Sequence, residues 1–131
     1  MADASRPLGP VMQILVPVTD LDRSVAFYRD VLGMPLQMRF PGNAFFEAHG
    51  IRLYLATPTE EGFDGVATLY FRVDDVTGTL ALLESRGARV HERPVVVFGT
   101  DDYDLWLAFV KDPDGNNIGL MREAPKGVTP G

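Results

Sequence analysis

Hydrophobic and polar positions follow one another in the same order twice along the chain. Gln13–Val18 is a short run of apolar and β-branched residues, as is typical of a strand, and from Asp20 the apolar residues recur at the spacing of one helix face. The same succession begins at Thr68–Val73 and continues from Asp75. A shift of 55 residues superposes the two runs, which indicates an internal repeat.

Two helices are predicted, over residues 20–32 and 75–86. Each is followed by a glycine, Gly33 or Gly87, at the place where a left-handed residue closes a helix. Under the shift of 55 residues the two glycines miss each other by one position. The first predicted helix therefore has one residue more than the second.

Three strands are predicted after each helix. In the first half they are Pro35–Phe40, Ala44–Ala48 and Ile51–Thr57; in the second they are Arg89–Val97, Asp104–Lys111 and Asn117–Arg122. Two of the segments between these strands contain residues typical of tight turns, His49-Gly50 and Asp112-Pro113-Asp114-Gly115. The pattern predicts an α+β fold made of two βαβββ modules.

The predicted organisation is a single domain with loose ends. Residues 1–10 form a flexible arm, 11–57 the first module, 58–65 an acidic linker loop, 66–122 the second module and 123–131 a flexible tail.

Composition removes several classes of function. The chain has 131 residues, a net charge of −6 and no cysteine. A negative surface repels phosphates, so we expect neither a nucleic acid nor a membrane as partner. Without cysteine there is no disulfide framework, thiol nucleophile or thiolate metal site. The polar N-terminus has no apolar segment of signal-peptide length, and a cytoplasmic location is the expectation.

Two segments resemble a known superfamily. Val18–Gly33 (VTDLDRSVAFYRDVLG) is similar to the strand-to-helix opening of the vicinal oxygen chelate superfamily, and Phe109–Leu120 (FVKDPDGNNIGL) resembles its closing hairpin. That superfamily includes glyoxalase I, extradiol dioxygenases, and fosfomycin and bleomycin resistance proteins. The resemblance implies a mixed sheet curled around a central cleft, and a homodimer.

The resemblance also implies where a metal would be held in the metal-dependent members. Carried over by motif spacing, the four positions are Gln13, Tyr54, Thr68 and Gly119. A catalytic divalent metal is held by imidazoles and carboxylates, none of which stands at these positions. We therefore expect no metal and no cofactor.

Alternation along the strands predicts a ligand-binding face. Helices must cover the uniformly apolar faces, so the mixed faces are expected to look into the cleft. The predicted ligand-binding residues are Gln13, Leu15, Arg52, Tyr54, Thr68, Tyr70, Arg72, Trp106 and Met121. Asn117 and Gly119 share this face, and Trp106 is expected to form a wall. An alternative is that the aromatic residues only fill the core.

Further polar groups leave alternatives open. His49 and His91 are either surface residues, or one of them pairs with Glu47 or Glu92 as a general acid–base group or a metal site. The run Asp101–Asp104 is either a solvated loop or a negative lip that attracts a cation.

Two functions remain. One is a metal-free binding protein that sequesters an aromatic or cationic small molecule, similar to bleomycin resistance proteins. The other is a glyoxalase- or dioxygenase-like enzyme with displaced metal ligands or metal-free acid–base chemistry.

Overall fold

The strands divide into two four-stranded mixed sheets in a computed structural model that describes residues 10–57 and 65–127. The first sheet contains β1 (Gln13–Pro17), β2 (Leu36–Phe40), β3 (Asn43–Ala48) and β4 (Ile51–Ala56), in the order β1-β4-β3-β2. The second contains β5 (Thr68–Arg72), β6 (Arg89–Gly99), β7 (Tyr103–Lys111) and β8 (Asn117–Pro125), in the order β5-β8-β7-β6. In each sheet the first and last strands are parallel, and the others pair antiparallel. The predicted α+β fold of two βαβββ modules is confirmed.

The predicted boundaries differ from the observed ones mainly at the end of the second module. β8 continues to Pro125, three residues beyond the predicted end at Arg122, because Tyr103–Leu105 of β7 supply its partners. The predicted tail therefore begins inside this strand. Residues 1–9 of the predicted arm, most of the predicted linker and residues 128–131 lie outside the described residues.

The extra residue of the first helix is taken up by a π-helical turn. Helix α1 (Leu21–Ala26) begins after the N-cap Asp20 and continues directly into a π-helical segment, Phe27–Val31. There the Leu32 N–H donates to the Phe27 carbonyl at 3.0 Å. An i→i−5 turn accommodates one more residue than an α-turn. This turn explains why the two glycines miss each other by one position under the repeat.

Helix α2 (Val76–Ser85) lacks such a turn and ends at a left-handed glycine. Gly87 has a φ of +94°, and the amides of Gly87 and Ala88 donate to the carbonyls of Glu84 and Leu83. The predicted left-handed conformation of Gly33 is confirmed as well, with a φ of +74°, and Gly115 of the β7–β8 turn has a φ of +86°.

Alanine at Gly87 is expected to lower the free energy of unfolding by about 1 kcal/mol, because a Cβ is strained at positive φ. A Cβ there meets no atom within 4 Å, so the loss reports conformation alone. Thermal melts of Gly87→Ala and Gly87→Asn test this, since asparagine tolerates the left-handed region. Equal melting temperatures for the wild type and the alanine variant would contradict it; comparable losses are expected for alanine at Gly33 and Gly115.

The modules are joined by a polar cluster beneath the β7–β8 turn. The side chain of Asp112 is 1 % exposed and accepts four hydrogen bonds, from the Tyr28 hydroxyl of the first module, the backbone amides of Asp114 and Asn116, and the Asn116 side-chain amide. Asn116 also donates to the Pro17 carbonyl and accepts from the Ala67 amide. One turn thus binds β1, α1 and the start of β5 together.

Burial and the neighbouring Asp112 raise the pKa of the Tyr28 hydroxyl far above its usual value of about 10. Above about pH 10 the unfolded chain releases this proton while the folded chain retains it, so the free energy of unfolding is expected to fall as the pH rises. Denaturant titrations from pH 8 to 11 measure this slope. The Tyr28→Phe variant should have a shallower one, and an identical slope would contradict the assignment.

No helix among residues 10–57 and 65–127 has the length and apolar character required to cross a membrane.

Candidate functional site

Each sheet has one face covered by helices and one open face, which we define as the face turned away from them. On the covered faces Val16, Leu55, Val110 and Ile118 are fully buried. Residues that alternate with them are half-buried or exposed, except the small residues Ala56 and Gly119, which are buried. Eight of the nine predicted ligand-binding residues lie on the open faces: Gln13, Leu15, Arg52, Tyr54, Thr68, Tyr70, Arg72 and Met121.

Trp106 is on the other face. It shares the covered face with Ala108 and Val110, which are fully buried, and it packs against the core. Its indole nitrogen is buried with no hydrogen-bond partner. The expectation that Trp106 forms a wall beside Tyr54 and Tyr70 is wrong, because the β7–β8 register places Leu107 and Phe109 on that face instead.

The open face of the second sheet is organised in rows that cross all four strands. The strand register places directly opposite neighbours in three such rows: a polar row of Thr68, Asn117, Lys111 and Arg89, an aromatic row of Tyr70, Gly119, Phe109 and Glu92, and an outer row of Arg72, Met121, Leu107 and Val95. Successive rows are about 7 Å apart, the rise of two strand residues.

Gly119 gives the aromatic row its shape. The rings of Tyr70 and Phe109 meet edge to face above this glycine, with their centroids 5.8 Å apart. A Cβ at Gly119 would lie 2.8 Å from the Tyr70 ring and 3.0 Å from the Phe109 ring. The two rings therefore occupy the space that a side chain would need.

Hydrogen bonds connect the polar row. The Lys111 ammonium donates to the Asn117 side-chain carbonyl, and the Asn117 amide donates to the Thr68 hydroxyl at 2.9 Å. These bonds determine the orientation of the amide and leave the Thr68 hydroxyl able to donate its own proton.

A bulge brings two acid–base side chains to the same recess. The β6–β7 register passes from Val90 opposite Val110 to Glu92 opposite Phe109, so His91 is an inserted residue. Consecutive residues of a regular strand point to opposite faces. Here both His91 and Glu92 line the recess.

We call this space the second-sheet recess; its volume is about 220 Å³. Its lining residues are Thr68, Tyr70, His91, Glu92, Phe109 and Asn117.

The open face of the first sheet has a corresponding order. Tyr54 and Phe45 stack with parallel rings 4.7 Å apart, and Arg52 of β4 lies between Gln13 and Glu47 on the neighbouring strands. The second-sheet recess includes none of these residues. His49 lies in the exposed β3–β4 turn with a φ of +53°.

The acidic run lies far from the aromatic row. Asp104 pairs with Lys126 at 2.8 Å, and Asp101 and Asp102 are exposed in the β6–β7 turn. Phe109 lies six positions after Tyr103 along β7, a distance of about 20 Å. Within one chain, the negative lip is not at the entrance of the second-sheet recess.

The four positions implied for a metal do not fit one. Thr68 already accepts a hydrogen bond from Asn117, and the space around Gly119 is filled by Tyr70. Gln13 and Tyr54 add one amide and one phenol to this set, with no imidazole or carboxylate. Within residues 10–57 and 65–127 no group of three or more histidine, aspartate or glutamate side chains could hold a metal ion.

Protein purified without chelator is expected to carry far less than one equivalent of zinc, nickel, manganese or iron. The reason is that the donor set at Gln13, Tyr54, Thr68 and Gly119 cannot compete with solvent and buffer for these ions. Elemental analysis by mass spectrometry measures the content. One equivalent of metal that is lost in Gln13→Ala would contradict the expectation.

Comparison with known proteins gives a consistent family. Residues 11–120 match the sequence profile described as Glyoxalase/Bleomycin resistance protein/Dioxygenase superfamily. A lactoylglutathione lyase of Haemophilus influenzae is 30% identical over 123 residues, which are 82% of this chain and 88% of that protein. A probable lactoylglutathione lyase of Synechocystis is 28% identical over 131 residues, covering 88% of this chain and 97% of the other. A probable chloroplastic lactoylglutathione lyase of Arabidopsis thaliana is 26% identical, and the match spans only 36% of its length.

Solved structures show the same fold. The crystal structure of a lactoylglutathione lyase from Agrobacterium tumefaciens superposes with a TM-score of 0.76 at 23% identity, covering 88% of this chain and 95% of that one. TioX from Micromonospora has a TM-score of 0.71 at 20% identity, with 88% and 99% covered.

Proposed function

The chain belongs to the glyoxalase/bleomycin resistance protein/dioxygenase superfamily, and from this premise we propose that it binds a small organic molecule in the second-sheet recess. The observation that carries the proposal is the row built on Gly119, where Tyr70 and Phe109 expose aromatic edges beside the polar groups of Thr68 and Asn117. Apolar walls with a few oriented polar groups are typical of small-molecule sites.

The chain's own residues account for binding without a metal. Tyr70 is 55% exposed, so its ring is available to a planar ligand. The Thr68 hydroxyl and the Lys111 ammonium provide donors that orient the ligand's polar end. The proposed ligand is therefore planar or partly aromatic, and the protein's role is to sequester it.

Titration with an uncharged planar probe, 2-naphthamide, tests the proposal by calorimetry. Saturable binding is expected, and Tyr70→Ala should weaken it about two- to tenfold, because an aromatic contact contributes about 0.5–1.5 kcal/mol beyond area burial. Leu82→Ala is the control, since Leu82 is an exposed apolar residue of helix α2 that lies outside the recess. Absent binding, or equal weakening by both variants, would contradict the proposal.

The names of the curated relatives favour a second candidate function, a glyoxalase-like enzyme. The β6 bulge supports metal-free acid–base chemistry, because it brings the side chains of His91 and Glu92 to the same recess. In this candidate His91 would move a proton on a bound substrate and Glu92 would assist it.

Formation of lactoylglutathione from glutathione and methylglyoxal, by protein treated with chelator, tests the second candidate. Turnover that survives the chelator and falls about 100-fold in His91→Gln is expected from general acid–base catalysis. His49→Gln provides the control, because His49 lies in an exposed turn outside this recess. Absent turnover, or equal loss in both variants, would contradict it.

A homodimer is part of the same proposal. The volume of the recess is about 220 Å³, and sites that enclose a ligand have volumes of roughly 300–1,000 Å³. Met38 and Phe40 on the first sheet and Val96 and Phe98 on the second are exposed apolar residues that a second copy would cover. Light scattering should give twice the mass of the chain; the mass of one chain would contradict the dimer.

A further inference from the structure

We propose that the polar row of the second sheet is a carboxylate subsite, so that the ligand is a planar aromatic monocarboxylate. The inference depends on the proposed binding at the second-sheet recess and adds the charge of its ligand. It arises from the two cations of that row, Lys111 and Arg89.

Lys111 and Arg89 lie directly opposite each other on β7 and β6. Like charges in this position destabilise a sheet unless an anion lies between or above them. None of the ion pairs among the described residues includes either side chain. The row therefore contains an excess of positive charge in a chain whose net charge is −6.

The first sheet lacks such an excess. At the corresponding place on its open face, Arg52 is directly opposite Glu47, so the charges of this cross-strand pair cancel. The internal repeat thus provides a comparison within the chain. In the part of the chain that the structure describes, the second module pairs two cations, Lys111 and Arg89, across neighbouring strands beside a recess.

Neutral donors complete the row. Lys111 orients the Asn117 amide, which donates to the Thr68 hydroxyl. A hydroxyl that accepts such a bond becomes a better donor to an oxyanion. A carboxylate above this row would accept a hydrogen bond from the Thr68 hydroxyl and face both cations.

The spacing suits one carboxylate attached to a ring. The polar and aromatic rows are about 7 Å apart, which lets a ring lie on Tyr70 and Phe109 while its carboxylate remains over Lys111. Glu92 stands at the far end of the aromatic row, on the β6 side of Phe109. Its negative charge opposes a second anionic group there, so a monocarboxylate is favoured over a dicarboxylate.

The test compares 2-naphthoate with 2-naphthamide by calorimetry at low and high salt. At low salt we expect the acid to bind at least tenfold more tightly than the amide, with a smaller ratio at high salt because ions screen the cations. Arg89→Gln should reduce the ratio to below threefold without changing the affinity for the amide, and Lys111→Gln should reduce the ratio by as much. Circular dichroism confirms that each variant is folded.

Arg122→Gln is the matched control, because it removes one positive charge from β8 on the covered face. It should leave the ratio unchanged. Equal affinities for acid and amide in the wild type, or the same loss in Arg122→Gln as in Lys111→Gln, would overturn the carboxylate subsite. If the amide still binds through Tyr70, the proposed function stands without the subsite; if neither probe binds, both fall.

Discussion

Replacing Asp112 with alanine is expected to lower the free energy of unfolding by about 3 kcal/mol or more. Asp112 is 1 % exposed and accepts four hydrogen bonds, so its removal leaves the Tyr28 hydroxyl and the Asn116 amide buried without an acceptor. The loss affects both modules, because Tyr28 belongs to the first and Asn116 to the second. Denaturant unfolding followed by fluorescence measures it.

Asp102→Ala is the control for Asp112, since the Asp102 side chain is exposed in the β6–β7 turn. Its effect should remain below about 0.5 kcal/mol. Tyr28→Phe removes a single hydrogen bond and should cost about 1–1.5 kcal/mol. Equal stability of Asp112→Ala and Asp102→Ala would show that the cluster beneath the β7–β8 turn does not hold the modules together.

Leucine at Gly119 is expected to weaken 2-naphthamide binding more than tenfold. Already the Cβ would lie 2.8 Å from the Tyr70 ring, so a leucine side chain must displace Tyr70 and fill the second-sheet recess. Overpacking of this kind also costs about 1–3 kcal/mol of stability. Calorimetric titration measures the first effect and thermal unfolding the second.

Glu123→Leu provides the matched control for Gly119, because it adds leucine to an exposed position of the same strand and open face, four residues away. It should leave binding within twofold of the wild type. Undiminished affinity in Gly119→Leu would mean that the ligand lies elsewhere, and the aromatic row would lose its proposed role.

The modules were predictable because their signals are local. Asp20 and Asp75 are N-caps, and Gly33 and Gly87 follow the helices at positive φ, as expected from residue type alone. The one-residue mismatch between the helices is visible in the repeat. Its form, a π-helical turn at Phe27–Val31, depends on packing of Phe27 and Tyr28 in the core and has no sequence signal of its own.

The site was predictable only where the alternation of side chains between the two faces of a strand determines their position. It places Thr68, Tyr70 and Met121 on the open face, because each belongs to a short strand with one apolar face. Alternation does not give the register across hairpins, which depends on turns and bulges. For this reason the predicted place of Trp106 on the open face is wrong. The Asp112–Asn116 turn pairs Lys111 with Asn117 and Phe109 with Gly119, so a count outward from this turn gives the open-face residues of β7.

The location of Arg89 and His91 had no comparable signal. Arg89 joins the polar row only through its pairing with Lys111, a contact between strands 22 residues apart. His91 faces the recess because of a bulge, and no residue pattern in the Val90–Arg93 segment indicates one.

The irregular register of β6 bears on self-association. β6 is an edge strand, and Val95, Val97 and Phe98 are between 38% and 51% exposed, which makes a regular edge of this composition a template for intermolecular β-sheet growth. Its register shifts three times between Val90 and Phe98, and Pro94 has no amide proton to donate. An incoming strand therefore finds no continuous ladder of donors and acceptors, and this irregularity disfavours growth of an intermolecular sheet at the β6 edge.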